Sequence, residues 1–257
     1  MRLFIFFTST LLLCLVFISH VGAQVNIEKF RKAGDDERYS GYVELDFSSR
    51  TGNVDIKSIA IECRSNYRWR AMDTFMIVTG NYGWQGGKRY SNEALAHLRH
   101  VFRSGMLWQP EVFIQVDYNK KRLLSSRELF GGGFRCAVYK STKNNLWYGT
   151  SIMLEHERYD LEENNSHDDI VAVARWSNYV TTTVNVNERT EFISTVYVQP
   201  CLRTFEDIRI LGETDLKIEL GEQLSFVMTF NLRYDSKPPD NIKVLDTEIK
   251  PGLVLNF

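Results

Sequence analysis

From residue 39 onward, apolar and polar side chains trade places at every second position, in one stretch after another. In residues 39–49, Val43, Leu45 and Phe47 fall on one side and Tyr42, Glu44 and Asp46 on the other. Such period-two alternation marks a strand with one apolar and one polar face. A second stretch sets Ile59, Ile61 and Cys63 against Glu62 and Arg64, and a third covers residues 74–84. The fourth, residues 93–103, sets Ala96, Leu98 and Phe102 against His97, Arg99 and Arg103; the fifth sets Val112, Ile114, Val116 and Tyr118 against Glu111, Gln115 and Asp117. The sixth, residues 127–139, has Arg127 and Arg135 opposite Phe130, Phe134 and Val138, and its Gly131-Gly132-Gly133 signals a bend or a close backbone approach. A seventh spans residues 147–159. The eighth (171–184) and ninth (192–199) are rich in Thr and Val, so alternation does not assign their faces. In the tenth, Ile208, Ile210, Leu216, Ile218 and Leu220 oppose Arg209, Glu213, Asp215, Lys217 and Glu219. In the eleventh, Leu224, Phe226, Met228, Phe230, Leu232 and Tyr234 oppose Ser225, Thr229, Asn231, Arg233 and Asp235. The twelfth, residues 244–257, places Leu245, Ile249, Leu253, Leu255 and Phe257 opposite Asp246, Glu248 and Lys250.

Turn signals separate these stretches: Thr51-Gly52-Asn53, residues 69–73, the Gly-rich 85–89, Ser104-Gly105, the basic 119–122, Gly221-Glu222-Gln223 and residues 236–240. The longest polar connection is 160–169. Soluble antiparallel sheets alternate too, so the pattern by itself leaves a soluble sandwich or lipocalin-like barrel open. Three features favour a membrane. Charges of both signs crowd the polar faces and nearly vanish from the apolar ones, as they must if a lipid-facing Arg or Lys costs roughly 2–4 kcal/mol at mid-bilayer. Connections alternate between short and longer. Aromatic residues sit near strand ends, with Trp69, Trp108, Trp147 and Phe257 expected at one interface and Trp84, Tyr118, Tyr159 and Tyr234 at the other. The expected fold is all-β: a closed antiparallel transmembrane barrel of twelve strands over residues 37–257, with both termini periplasmic. Glu44, Asp46, Glu62, Arg64, His97, Arg99, Asp117, Arg135, Glu213, Asp215, Lys217, Arg233, Asp246, Glu248 and Lys250 are then expected to line the lumen.

The N-terminus agrees with export. Arg2 is the only charge before Glu28, residues 3–21 are largely apolar, and Val21-Gly22-Ala23 is a small-residue cleavage pattern, so residues 1–23 read as a signal peptide and 24–36 as a periplasmic lead-in. Removing 23 of 257 residues leaves 234 with 30 basic and 32 acidic groups, a charge of −2 that speaks against nucleic acid as a partner. No later run has the roughly 18 apolar residues of a membrane helix. Cys63, Cys136 and Cys201 are too few and too odd in number for a disulfide framework.

The stretches Ser40-Gly41-Tyr42-Val43-Glu44-Leu45, Gly52-Asn53-Val54-Asp55, Ala96-His97-Leu98-Arg99, residues 231–239 and residues 246–257 together resemble the salt-induced outer-membrane protein family. This is a bacterial family of barrels without an assigned activity. The resemblance covers almost the whole mature chain. It implies a Gram-negative outer-membrane barrel and transfers no catalytic residue. The last strand, with Ile249, Leu253, Leu255 and a closing Phe257 in one row, also looks like an outer-membrane assembly signal. The expected partners are accordingly outer-membrane lipid and lipopolysaccharide and the barrel assembly machinery, with the chain a monomer.

Candidate chemistry is sparse. His97 and His100 lie three apart, so on a strand they face opposite ways and cannot share a metal ion. His97 is assigned to an inner polar network with Arg99. The outer-membrane phospholipase is the obvious enzyme of twelve-stranded type, but Ser65-Asn66, Ser91-Asn92 and Ser177-Asn178 each lack a His two residues earlier, and no base can be nominated. The acidic run Asp160, Glu162, Glu163, Asp168 and Asp169 lacks the Gly and oxygen spacing of a calcium loop. No cofactor, metal or catalytic set is therefore expected. A narrow channel with a mixed-charge lumen and a barrel plugged by its own ion pairs are both open, and a lipid-modifying enzyme is the alternative.

Overall fold

A computed structural model of the chain describes residues 38–52, 55–103, 107–221 and 223–255. The alternating stretches all form strands: β1 (Tyr39–Arg50), β2 (Ile56–Trp69), β3 (Met72–Gln85), β4 (Lys88–Phe102), β5 (Trp108–Asn119), β6 (Leu124–Lys140), β7 (Asn144–Tyr159), β8 (Ile170–Asn187), β9 (Thr190–Pro200), β10 (Ile208–Glu219), β11 (Leu224–Asp235) and β12 (Leu245–Leu255). They make one antiparallel sheet in sequence order, each strand paired with the strand before it and the strand after it. Several strands run further than the alternation suggested. The connection expected over 85–89 shrinks to Gly86 and Gly87, and the one over 69–73 to Arg70 and Ala71. The residues nearest those turns still pair, Gln85 with Lys88 and Trp69 with Met72. The signal peptide, the lead-in, the Ser104-Gly105 turn and Phe257 lie outside the described residues.

The sheet is rolled, with the polar face inward. Neighbouring strands lie about 4.8 Å apart, so on a flat sheet the 3₁₀ turn Lys120–Arg122 between β5 and β6 would stand about 30 Å from β12. Instead Arg122 Nε is 3.8 Å from Asp246 Oδ2. Likewise Arg209 on β10 donates to Glu155 and Glu157 on β7, and Tyr179 on β8 donates to Glu111 on β5. Each of these strand pairs is three places apart.

The outward face carries the apolar rows: Leu98 on β4, Val112, Ile114 and Val116 on β5, Phe130 and Phe134 on β6, Ile152 and Leu154 on β7, all exposed. Charged side chains lie inside, with Arg99 and Arg175 each 1% exposed. The inner face is not purely polar. Phe75, Ile77, Leu95 and Val101 form one buried cluster across β3 and β4, and Tyr179, Tyr197 and Leu211 form another across β8 to β10. The two strands whose faces alternation left open turn Arg175, Ser177, Tyr179 and Thr181 inward from β8, and Ile193, Thr195, Tyr197 and Gln199 inward from β9.

One expectation is not met. Among the described residues β1 does not pair with β12, so the sheet has two edges rather than a closed ring. The edge strand β1 is exposed on both faces along almost its whole length. Glu44 and Asp46, expected inside, are therefore open to solvent, as are Leu45 (71%) and Phe47 (73%) on the opposite side. A barrel interior forms only where a facing wall stands across from it, and β1 has none here.

Two glycines make room for the rings that fill the interior. A Cβ on Gly131 would stand 2.3 Å from the Phe113 ring, which is the close approach the triple glycine suggested; one on Gly149 would stand 2.1 Å from the Tyr179 ring. Gly149→Ala is expected to destabilise the fold by about 1–3 kcal/mol through overpacking. Trimming the ring in Gly149→Ala/Tyr179→Leu should recover part of that loss, read as the midpoint of urea unfolding.

Candidate functional site

The inner face carries its charges as a connected network at the end of the sheet where the longer connections gather. Odd-numbered strands finish at that end and even-numbered strands begin there, joined by residues 160–169, 201–207 and 236–244. The alternation of β5 turns Gln115 and Asp117 to the same side, and Gln115 Nε2 donates to Asp117 Oδ1 at 2.8 Å. Asp117 is also bound by Arg127 from β6, Nε to Oδ1 at 3.0 Å and Nη2 to Oδ2 at 2.9 Å. Arg127 Nη1 lies 3.9 Å from Glu157 of β7. Glu157 is in turn clasped by Arg209, Nη1 to Oε1 at 2.8 Å and Nη2 to Oε2 at 2.9 Å. The same guanidinium donates to Glu155 Oε1 and, through Nε, to Asp235 Oδ2 of β11. Arg175 closes the chain by donating to Glu155 at 2.8 Å and to Asp207, in the β9–β10 connection, at 2.9 Å.

A smaller cluster lies further from these loops. Arg99 stands 3.4 Å from Glu111, with its guanidinium 4.8 Å from the Phe113 ring centre, and Tyr179 O–H donates to Glu111. His97 joins the two clusters. Because the Gln115 amide donates to Asp117, its carbonyl faces His97 Nδ1 at 3.0 Å. Nδ1–H is therefore the donor to it, and Nε2 has no hydrogen-bond partner among the described residues. Arg135 donates to Gln109 and lies 4.2 Å from the Trp147 ring centre.

Of the residues singled out in the sequence, the structure brings His97, Arg99, Asp117 and Arg135 onto the buried inner face. Asp215, also buried, accepts from Thr229. Glu62 and Arg64 pair with each other on β2, and Glu248 with Lys250 on β12 at 3.0 Å. Arg233 stands 3.6 Å from Asp235, and Glu213 shares the inward parity of Leu211 and Asp215 on β10. Lys217, near the end of β10, is half-buried and pairs with Glu219. Ile249 and Leu253 lie on the exposed side of β12, and the side chains of Leu255 and Phe257 fall outside the described residues. His100 faces the other way from His97 and contacts Thr74 and Met72. Two aromatic assignments fail. Trp147 and Tyr159 share the parity of Glu155 and Glu157 and turn inward, where Trp147 meets Arg135 and Tyr159 O–H donates to Glu157.

The centre of the network (Arg127, Glu155, Glu157, Arg175, Arg209 and Asp235) was absent from the expected lumen set. Arg209 and Asp235 stood on recognised polar faces, and Glu155 and Glu157 alternate with Ile152 and Leu154, so the signal was present for these. Arg175 had none, since its strand alternates Val with Ala. Among the described residues no group of three or more His, Cys, Asp or Glu is placed to hold a metal ion.

The longest connection folds onto another. Asp240, in the β11–β12 connection, accepts from the Ser166 backbone N–H at 2.6 Å and from its hydroxyl at 2.8 Å, while Asp240 N–H donates to Asn165. Pro238, Pro239 and Ile242 of this second loop line a small pocket together with Arg122, Leu124 and Tyr159, over the ion network. The Ser166 donors hold the Asp240 carboxyl below the usual aspartate range. A carboxyl with a depressed folded-state pKa contributes its stabilisation above the ordinary value and loses it as pH falls through the depressed one. Protection of the Ser166 amide, meaning its exchange rate relative to that of an unstructured peptide at the same pH, should therefore be greatest near neutrality and fall on acidification, and Asp240→Asn should flatten that dependence. For the network, Arg209→Met leaves three buried carboxylates short of a partner and is expected to cost about 3–5 kcal/mol, measured by urea unfolding.

Residues 43–257 match the family described as "Protein of unknown function, DUF481". No curated protein matches the chain. Among solved structures, the NanC porin in a rhombohedral crystal form is similar at 7% identity with a TM-score of 0.44, over 85% of this chain and 98% of that one.

Proposed function

The chain belongs to the DUF481 family, whose function is not known, and we propose from its geometry that it is an outer-membrane β-barrel with a self-plugged polar interior. The observation that carries this is the inverted distribution of side chains. Leu98, Ile114, Phe130, Phe134, Leu154 and Val180 are exposed while Arg99, Arg135, Arg175 and Glu157 are buried. A water-soluble sheet of this size does the reverse. An exposed apolar belt running across β4–β9 is a surface that soluble monomers rarely display, and the solvent it suits is hydrocarbon. No helix among the described residues is long and apolar enough to cross a membrane, which says nothing of strands. These strands are 11 to 18 residues long, and about 9–11 tilted residues suffice to span a bilayer core.

Lipid also supplies the reason for closure. An open edge leaves unpaired backbone groups that hydrocarbon cannot satisfy. With an even number of strands, β1 and β12 run in opposite directions and can pair antiparallel. Closure extends the exposed rows Val43, Leu45, Phe47 and Leu245, Ile249, Leu253 into one belt, and turns Glu44 and Asp46 inward. The outward ion pair His156–Glu128, 2.8 Å apart, marks where the hydrocarbon ends on β6 and β7, since such charges are tolerated only near the interface. Trp69 and Trp108 at the opposite strand ends mark the other boundary. On this reading the partners outside are outer-membrane lipid and lipopolysaccharide, β12 is the strand read by the assembly machinery, and the barrel works as a monomer.

The interior reads as filled rather than open. Arg99, Arg135, Arg175, Met153 and His97 are among its largest side chains and are almost wholly buried. The protein is expected to leave membranes only with detergent, to show heat-modifiable migration in gels, and to give no stepwise conductance in planar bilayers. Ile114→Arg is expected to destabilise the membrane-inserted form by roughly 2–4 kcal/mol. Recovery of the mature chain in the aqueous fraction without detergent would refute the reading.

A further inference from the structure

Beneath the β11–β12 connection lies a cavity of about 320 Å³, walled by β4 and β5 on one side and β11 and β12 on the other. Its charges are layered. Asn119 ends β5 and accepts the Arg122 N–H through its side chain, which sets the turn that carries Lys121 and Arg122 loopward. Across the cavity, Arg233 is paired with Asp246 in the β11–β12 register, and Lys243 hangs from the loop above. This loopward layer is cationic. Arg122 stands 3.8 Å from Asp246, and Arg233 shares Asp235 with Arg209, from 3.6 Å. One step deeper the register places Glu93 beside Asn119, and Glu248 beside Asn231. Glu93 is the unusual member. It is buried, and its hydrogen bonds come from the neutral amides of Asn81 and Asn119, while Lys121, Arg122 and Lys250 act on it only from beyond ion-pair distance. A buried carboxylate is ordinarily met by a cation. Glu248, by contrast, is met by Lys250.

We propose that this cavity binds a small zwitterion, its anionic group between Arg122 and Arg233 and its primary ammonium against Glu93. The two poles of the site are separated by about one register step of two residues, roughly 7 Å along a strand, which an anion and an amine joined by two carbons can span once hydrogen-bond lengths are added at each end. Lys243 and the loop that bears it cover the anionic end. The site goes beyond the barrel reading and does not require β1 to meet β12, because none of its lining residues comes from β1. A ligand of this chemistry is either a free metabolite or the ethanolamine headgroup of a lipid.

The test is calorimetric titration of the full chain in non-ionic detergent, where binding is read whether or not the protein proves to be a membrane barrel. The probes are O-phosphoethanolamine and, as half-ligands, inorganic phosphate and ethylamine. O-Phosphoethanolamine is expected to bind saturably at one per chain and at least about tenfold more tightly than phosphate, one charge-assisted contact being worth that much. Glu93→Gln, which keeps a side chain of the same size, should bring O-phosphoethanolamine down to the affinity of phosphate. Arg233→Gln should weaken both probes, and Lys243→Gln, on the exposed loop, should weaken both a few-fold without touching the fold. Equal affinity for phosphate and O-phosphoethanolamine, an unchanged preference in Glu93→Gln, or no saturable binding overturns the proposal. Nanodiscs of phosphatidylglycerol with and without phosphatidylethanolamine separate the sources: competition by the second lipid identifies a headgroup site, and its absence a site for a soluble zwitterion.

Discussion

A carboxylate or guanidinium taken out of water has to meet an opposite charge, and most of this architecture follows from that need. Arg209 alone draws Glu155, Glu157 and Asp235 to one point, and these residues come from β7 and β11 while Arg209 stands on β10. A flat sheet cannot bring them together. The curvature of the sheet and the neutralisation of its inner face are therefore one fact seen twice. The apolar outer rows follow in turn, because a strand that sends every charge to one side leaves only uncharged groups for the other.

The two ends of the sheet differ in what they are built to do. One end is joined by turns as short as Arg70-Ala71 and residues 188–189, and the interior near it is packed with rings and aliphatic chains. The other carries the long connections, the ion network and the cavity. There the Asp240 clasp ties the β7–β8 loop to the β11–β12 loop, so the covering over the charged interior is held by hydrogen bonds between loops rather than by the sheet. Exposed hydrogen bonds of this kind are the weakest part of a fold. The interior is thus sealed most firmly by strands and least firmly where it meets solution.

How far the sequence reveals this depends on the range of the interaction. Strand β5 is legible because Val112, Ile114 and Val116 stand against Glu111, Gln115 and Asp117. Strand β8 is not, because Val171 and Val173 face one way and Ala172 and Ala174 the other, and nothing in those side chains prefers a side. Pairing between strand neighbours follows from the turns. The contact of Arg209 with Glu157 does not, since it joins strands three apart and depends on how tightly the sheet rolls. Trp147 and Tyr159 teach a different lesson. Their parity with Glu155 and Glu157 was visible, yet their position near strand ends suggested a lipid interface, and the parity decided. Glu93 is not legible as a site residue because its hydrogen bonds come from the neutral amides of Asn81 and Asn119 rather than from a cation at strand spacing. Glu44 and Asp46 show the converse, where a correct facing gives no burial without an opposite wall.

The strictly sequential pairing of the strands has a kinetic corollary. Each strand pairs with its neighbour in sequence, so the sheet can grow by adding one strand to the last, with modest chain entropy spent at each step. The contacts of Arg209 and of Arg122 with distant strands cannot exist until the sheet has curled, and so they belong to the final stage of assembly. Interactions made that late govern how fast a structure comes apart rather than how fast it forms. The inner charges therefore act as a latch on a completed object, setting its lifetime more than its rate of appearance.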